Sequence, residues 1–273
     1  MSGIELEPLT AHTGSIVHGV DLREPLDDDV FAAIHEALVE RCVLFFRDQD
    51  LSDEEHLSFA GRFGAVNWSP WQEGPLEHLE DSPEHPPSAD LWHTDMTFLA
   101  EPPEVAVLSM RHAAPAGGDT LWANLYEAHD HLSPPMRAFV ASLAQEVRRT
   151  VAISEEHRPV RYEPSPAADM QLHPLVRVHP VTGRPALFLC GQSISGIAGL
   201  DRDESEMLLA FLRSRVADPN VQCRWRWHDN DLAVWDERST NHRALSDHWP
   251  RHHRHVRRCT VGASAPLALS PHG

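Results

Sequence analysis

The chain has 273 residues, 41% of them hydrophobic, enough for one large domain or two small ones. Its formal charge of −18 opposes non-specific binding to nucleic acid, which needs a net basic surface. Lysine is absent and all 23 basic residues are arginine, which excludes a P-loop and any Schiff-base chemistry on this chain and leaves proton work to His, Asp, Glu or bound water.

In chain order, residues 14–23 alternate apolar and polar (Ile16, His18, Val20, Leu22) and predict a short strand. Asp27–Arg41 reads as an amphipathic helix with Val30, Phe31, Ile34 and Leu38 on one stripe, and Cys42–Phe46 as a buried strand. Ser52-Asp53-Glu54-Glu55 is a capping box opening a second helix through Leu57, Ala60 and Phe63. Residues 72–89, rich in Pro, Glu and His without an apolar period, predict a solvated loop or mobile lid. Val105–Met110 is a strand, Ala116-Gly117-Gly118-Asp119 a turn, and Thr120-Leu121-Trp122 the strand after it. Ser133 with Pro134 at the first helical position starts a helix burying Met136, Phe139, Val140 and Leu143. Residues 153–172 predict a second polar loop, 174–179 and 186–190 strands, and Asp201 caps a helix through Met207, Leu208, Phe211 and Leu212. Arg224–Trp227 and Leu232–Trp235 flank His228-Asp229-Asn230-Asp231 as a hairpin, and Arg254–Val261 forms the last strand. This pattern predicts a mainly β protein, a barrel or jelly roll decorated by helices.

Met1–Glu5 lacks a charged segment followed by an apolar run, so no signal peptide is expected, and no apolar run reaches the roughly 18 residues that span a bilayer. Cys42, Cys190, Cys223 and Cys259 are scattered without a C-x-x-C pair. They read as buried thiols in a reducing compartment, and a cytoplasmic setting without membrane attachment is expected.

The chemistry concentrates at Trp92-His93-Thr94-Asp95. On an extended segment residues i and i+2 point the same way, so His93 and Asp95 can grip one cation while Thr94 turns aside. A third ligand must come from afar, and Asn241-His242-Arg243 is the candidate. Two His and one carboxylate with open positions form the facial triad of non-haem Fe(II) oxygenases. His-x-acid pairs also arise by chance in so His-rich and acidic a chain; His78-Leu79-Glu80 is a second match, placed in the polar loop. Trp92, Trp122, Trp225, Trp227 and Trp235 read as core or rim packing.

The run Trp92-His93-Thr94-Asp95-Met96-Thr97-Phe98, then Glu101-Pro102-Pro103 and Gly117-Gly118-Asp119-Thr120-Leu121-Trp122, resembles the taurine/2,4-D dioxygenase family (TauD/TfdA). So do Gly19–Leu22, Phe45–Gln49, Arg62–Gly64, His173–Arg177 and Trp235–His242, in family order over about residues 4–262 of a single domain spanning 1–273. The resemblance implies a double-stranded β-helix (jelly-roll) core and an oxygenase using Fe(II), 2-oxoglutarate and O₂. By position it implies that His93, Asp95 and His242 hold the metal, and that Arg254, with help from Thr120, binds the distal carboxylate of 2-oxoglutarate. Alternation on the last strand puts Arg254, Val256 and Arg258 on one face and Arg257 on the other.

Arg258 matches the position that pairs with a substrate anion, and the backbone N–H of Met96 is implied to assist. Ser69 and Gln72 stand where the taurine enzyme has His and Tyr; Ala89 replaces its amine-binding Asn, and Ser193 aligns with a pocket Phe. These departures argue against taurine. They point to hydroxylation of another small anionic substrate: a sulfonate, alkyl sulfate, aryloxyalkanoate or natural-product carboxylate. Rival readings are a non-catalytic metal- or anion-binding barrel, a zinc hydrolase, and desaturation or cyclisation in place of hydroxylation. Homo-oligomers are usual in the family.

Overall fold

The computed structural model describes residues 4–148 and 170–269. In its first half are β1 (Glu5–Pro8), β2 (Ser15–His18), α1 (Asp28–Arg41), β3 (Val43–Phe46), α2 (Asp53–Gly61), β4 (Glu77–Asp81), β5 (Val105–His112), β6 (Thr120–Asn124), α3 (Leu125–Asp130), α4 (Pro134–Ala141) and β7 (Ala144–Arg148). There follow β8 (Met170–Pro174), β9 (Val176–Val178), β10 (Pro185–Leu187), β11 (Ile194–Ile197), α5 (Arg202–Val216), β12 (Gln222–Trp225), β13 (Leu232–Asp236), β14 (Thr240–Ala244), β15 (Arg254–Val261) and β16 (Leu267–Ala268). The architecture is mainly β, a jelly-roll core decorated by helices, and its principal sheet runs β1-β2-β3-β13-β5-β15-β4. A smaller sheet, β12-β6-β14, faces it, while β11-β7-β8 and β10-β9-β16 form two further sheets.

Strict alternation explains the layers. Along β3, β5 and β13, Val43, Phe45, Ala106, Leu108, Met110, Ala233 and Trp235 point between the two facing sheets. There they meet Trp122, Cys223 and Trp225 from the smaller sheet, Phe45 stacking on Trp225 at 4.2 Å. The intervening residues, Leu44, Phe46, Val105, Val107, Leu232 and Val234, face the opposite way. They pack on Ile34 and Leu38 of α1 and Phe59 and Ala60 of α2. A third apolar cluster joins α3, α4 and α5 through Tyr126, Val140, Leu208, Leu209 and Leu212. The four cysteines are buried and free. Among the described residues no helix is long and apolar enough to cross a membrane.

Two of the three helix-opening signals, Ser52 with Glu55 and Asp201 with Glu204, form reciprocal capping boxes, and at the third Pro134 opens α4 although the Ser133 side chain makes no capping bond. Several expectations are revised. The strand predicted over 14–23 stops at His18, because Gly19 takes a φ of +79° and the Leu22 N–H donates to the Gln49 side chain at 2.7 Å. The stretch 72–89 is not all loop: it contains β4, an edge strand of the principal sheet pairing antiparallel with β15. Its inner face carries the acid Glu77, so no apolar period announces it. The predicted hairpin does not exist, since β12 pairs with β6 whereas β13 pairs with β3 and β5. The turn at 228–231 carries the chain from one sheet to the other, and Asp231 stabilises it by accepting the His228 N–H (2.8 Å) and pairing with Arg47. Phe139, Met207 and Phe211 are exposed, the helices burying neighbouring stripes instead. α3, capped by Asn124, was not anticipated. The second polar loop lies outside the described residues up to position 169, and Met170–Pro174 is β8.

α2 docks on the sheet partly through a polar contact. His56 is fully buried; its Nδ1 lies 3.0 Å from the Ser109 hydroxyl and its Nε2 3.3 Å from the Val107 carbonyl. Burial, with the nearby Arg257 guanidinium, lowers its pKa to about 3. The unfolded chain takes up a proton below about 6.5 that the folded chain refuses, so this contribution is complete above pH 6.5 and is lost as pH falls toward 3. Between pH 7 and pH 5 wild type should lose about 2 kcal/mol more stability than His56→Asn. Urea unfolding at the two pH values measures this; parallel losses in the two proteins would contradict it.

Candidate metal centre

Backbone pairing brings the distant ligands together. The His93 N–H donates to the His242 carbonyl (3.1 Å) and the His242 N–H returns the bond to His93 (2.8 Å). A pair exchanging both bonds lies directly opposite, with side chains on the same face. The imidazoles are accordingly 4.2 Å apart between centroids. His93 sits on an isolated bridge rather than in a full strand. Thr94 points away as expected: its hydroxyl donates to the Thr240 carbonyl (2.9 Å) and accepts from the Asn241 amide (2.7 Å), strapping the segment to β14. One donor atom each of His93, Asp95 and His242 lies within 4.8 Å of the others.

The tautomers follow from the neighbours. His93 Nδ1 lies 2.7 Å from the Leu91 carbonyl, which can only accept, so Nδ1 carries the proton and Nε2 keeps its lone pair. That Nε2 is 3.6 Å from Asp95 Oδ1, and His242 Nε2 is 3.8 Å from the same oxygen. Burial, followed by the neighbouring His93, depresses the His242 pKa and keeps its ring neutral. Burial opposes ionisation of Asp95, yet Arg258 and the two histidines hold its carboxyl far below the usual range. An anionic oxygen thus faces two imidazole nitrogens, an arrangement that suits a cation held between them.

One buried acid supports the trio. Glu237, fully buried, accepts the Asp95 N–H through Oε2 (3.1 Å) and the Trp235 indole N–H through Oε1 (2.7 Å). Burial and then the charge of Asp95 push its pKa well above the ordinary value. Met96, next to Asp95, has a φ of +47°, turning the chain sharply. His173 Nε2 lies 2.9 Å and 3.0 Å from the carbonyls of Thr97 and Leu99 and pins the loop that follows. Gly191, with φ +66°, packs against the other side of the bridge; a Cβ there would come within 2.5 Å of the Trp92 carbonyl and 2.7 Å of His93 Cβ. Neither Glu237 nor Gly191 was selected from the sequence. Their roles arise from contacts across the fold.

Arg254, Val256 and Arg258 face the space between the sheets, and Arg257 points to α2, where it bonds the Leu51 carbonyl (2.7 Å) and Asp53. Arg254 is buried; Nη1 is 3.4 Å from Asp81, and Nε has no partner among the described residues. Burial lowers its pKa, with Asp81 opposing. Thr120 lies on the same inner face as His242, two residues from its cross-strand partner Trp122. Its hydroxyl oxygen accepts the Trp227 indole N–H at 2.9 Å, which leaves the hydroxyl proton free to donate. Arg254 also borders a cavity of about 380 Å³ with Gln72, Leu79, Asp81, Ala89 and Leu245. Spare buried donors beside an open cavity fit a carboxylate-bearing ligand.

The other candidate residues fall differently. Arg258 Nη1 lies 2.9 Å from each Asp95 oxygen, while Nε (3.1 Å) and Nη2 (2.6 Å) donate to Glu77. Ser69 donates to Glu77 (2.7 Å) and accepts the N–H groups of Trp71 and Gln72. Both ends of the Gln72 amide bond the backbone of His78. Ser193 ends a 3₁₀ turn that begins at Gly191. The decoy pair His78 and Glu80 lies on the exposed side of β4.

The chain is similar to known proteins over nearly its whole length. The chain is 32% identical to an "Alkylsulfatase" of Acinetobacter baylyi, with 99% of this chain and 88% of that protein aligned. It is 33% identical to an "Alpha-ketoglutarate-dependent sulfate ester dioxygenase" of Pseudomonas putida, covering 97% and 92%. A crystal structure of a taurine dioxygenase from Burkholderia xenovorans superposes with a TM-score of 0.85 at 33% identity, covering 97% of this chain and 93% of that one. The family model "Taurine catabolism dioxygenase TauD, TfdA family" matches residues 5–260, and the chain belongs to that family.

Proposed function

We propose that the chain is an Fe(II)- and 2-oxoglutarate-dependent dioxygenase that hydroxylates a C–H of a small organic anion, with alkyl sulfate esters as the favoured substrate class. The observation that carries the reading is the trio of half-buried His93 with buried Asp95 and His242, with Arg254 and Thr120 turned toward the same space between the sheets. The sulfate ester preference draws on relatives whose names specify that chemistry.

In this reading His93 Nε2, the Asp95 carboxylate and His242 Nε2 would hold the iron, with open positions left for the keto acid and O₂. When bound with its keto acid, the iron would supply the oxidising power for a reaction in which one oxygen atom of O₂ ends in succinate, with loss of CO₂, and the other on the substrate carbon. The protein's part is positional. Glu237 and Thr94 fix the ligand segment, Arg254 and Thr120 orient 2-oxoglutarate by its distal carboxylate, and Arg258 orients the substrate anion. The packed Trp and Phe residues keep water away, and small misplacement of the reacting carbon costs orders of magnitude in rate. Hydroxylation beside a sulfate ester oxygen yields a hemiacetal ester that separates into an aldehyde and sulfate. A single domain in a reducing, cytoplasmic setting, without nucleic acid or membrane partners and with self-association as in the family, completes the reading. Its support is the four buried thiols and the acidic charge.

The test is a panel of alkyl sulfates, sulfonates and aryloxyalkanoates, supplied with Fe(II), 2-oxoglutarate and O₂ and scored by succinate. Alkyl sulfates should raise succinate at least about tenfold above the uncoupled rate and release equimolar sulfate. A panel in which no anion stimulates succinate would overturn the proposal.

A further inference from the structure

β4 places an acid opposite each of the two inward arginines: Asp81 opposite Arg254 and Glu77 opposite Arg258. The two acids are held differently. Asp81 is 3.4 Å from its arginine and borders the cavity, whereas Glu77 is only 4% exposed and fully engaged. Glu77 Oε2 accepts both Nε and Nη2 of Arg258, and its Oε1 accepts the Ser69 hydroxyl. Ser69 Oγ in turn accepts the N–H of Trp71 (3.0 Å), and the Trp71 ring meets Phe98 edge to face at 6.0 Å. Phe98 lies three residues beyond Asp95. One buried carboxylate therefore links the arginine, the ligand segment and the aromatic pair.

We infer that Glu77 is a positioning residue that determines substrate specificity, acting as a built-in counter-ion to Arg258. The inference rests on the proposed reading only in taking Arg258 as the group that meets the substrate anion. Glu77 holds the Nε edge of the guanidinium, so Nη1 stays directed at Asp95. Its negative charge also offsets much of the attraction Arg258 would exert on any anion. A small anion such as free sulfate gains little there. An organic anion gains more, because its hydrocarbon part packs against Trp71 and Phe98 while its charged end meets Arg258. Selectivity then comes from lowering the affinity for bare anions, which also eases release of a sulfate product.

The experiment is calorimetric titration of sodium sulfate into the Fe(II)- and 2-oxoglutarate-loaded protein under anaerobic conditions, for wild type, Glu77→Gln and Ser69→Ala. Glutamine is close to isosteric and its carbonyl still accepts from Arg258, but the counter-charge is gone. Glu77→Gln should bind sulfate at least about tenfold more tightly than wild type. Ser69→Ala keeps the charge and cuts the tie to the Trp71 loop, so sulfate affinity should stay within about twofold of wild type while KM for a long-chain alkyl sulfate rises more than kcat falls. Unchanged sulfate affinity in folded Glu77→Gln would overturn the inference. Tightened sulfate binding would uphold it even if no alkyl sulfate were turned over, an outcome that would count against the proposed function alone.

Discussion

Asp95→Ala is expected to abolish substrate-dependent succinate formation, by at least about 10³-fold, with the fold retained. Asp95 Oδ1 is the atom that both His93 Nε2 and His242 Nε2 face, at 3.6 and 3.8 Å. Without it the two imidazoles must hold a divalent cation unaided. The same substitution leaves Arg258 Nη1 without its carboxylate, although Glu77 still engages the other edge of the guanidinium. That retained pairing is why the effect should fall on turnover rather than on folding. Coupled succinate formation together with circular dichroism separates the two. Wild-type turnover in a folded Asp95→Ala protein would remove Asp95 from the ligand set.

Arg254→Gln should carry the second large effect, confined to 2-oxoglutarate. Breaking a buried charge pair by removing one partner costs about 2–5 kcal/mol, or roughly 30-fold to several-thousand-fold in affinity. Arg254 is buried, and among the described residues its Nε has no partner and its Nη1 only a 3.4 Å contact with Asp81, so its donors are poorly satisfied. KM for 2-oxoglutarate should therefore rise by about 100-fold or more, with KM for the anionic substrate changed far less. Thr120→Val removes a neutral hydroxyl and should raise KM for 2-oxoglutarate only about tenfold or less. Initial rates at varied 2-oxoglutarate measure both, and equal effects of the two variants would contradict the assignment.

Much of this was legible in the chain because it depends on local periodicity. The i, i+2 spacing of His93 and Asp95 and the alternation of Arg254, Val256 and Arg258 survive folding unchanged, as do the capping boxes at Ser52 and Asp201. What escaped depends on pairing between distant segments. β4 has no apolar period because Glu77 occupies its inner face, and the arginine that makes a buried acid tolerable is far away in sequence. The 228–231 turn carries the composition of a hairpin, but composition does not say whether the next strand joins the same sheet. Met207 and Phe211 share a helix with Leu208 and Leu212, and only the position of the neighbouring elements decides which stripe is buried. The resemblance implies that Ser69 and Gln72 are pocket residues, and Gln72 borders the cavity beside Arg254. Their polar atoms make hydrogen bonds within the protein, which ties the Trp71 loop to Glu77 and β4.

In the proposed site, between the facing sheets, His93, Asp95 and His242 would hold Fe(II) and Arg254 would hold 2-oxoglutarate. Anaerobic titration of the protein with Fe(II) and then 2-oxoglutarate, followed by visible absorption, tests it most directly. A weak charge-transfer band should appear, saturate at one equivalent of each, be absent in Asp95→Ala, and require far more 2-oxoglutarate in Arg254→Gln. A wild-type protein that binds neither component, or a band of equal strength and midpoint in all three proteins, would contradict it.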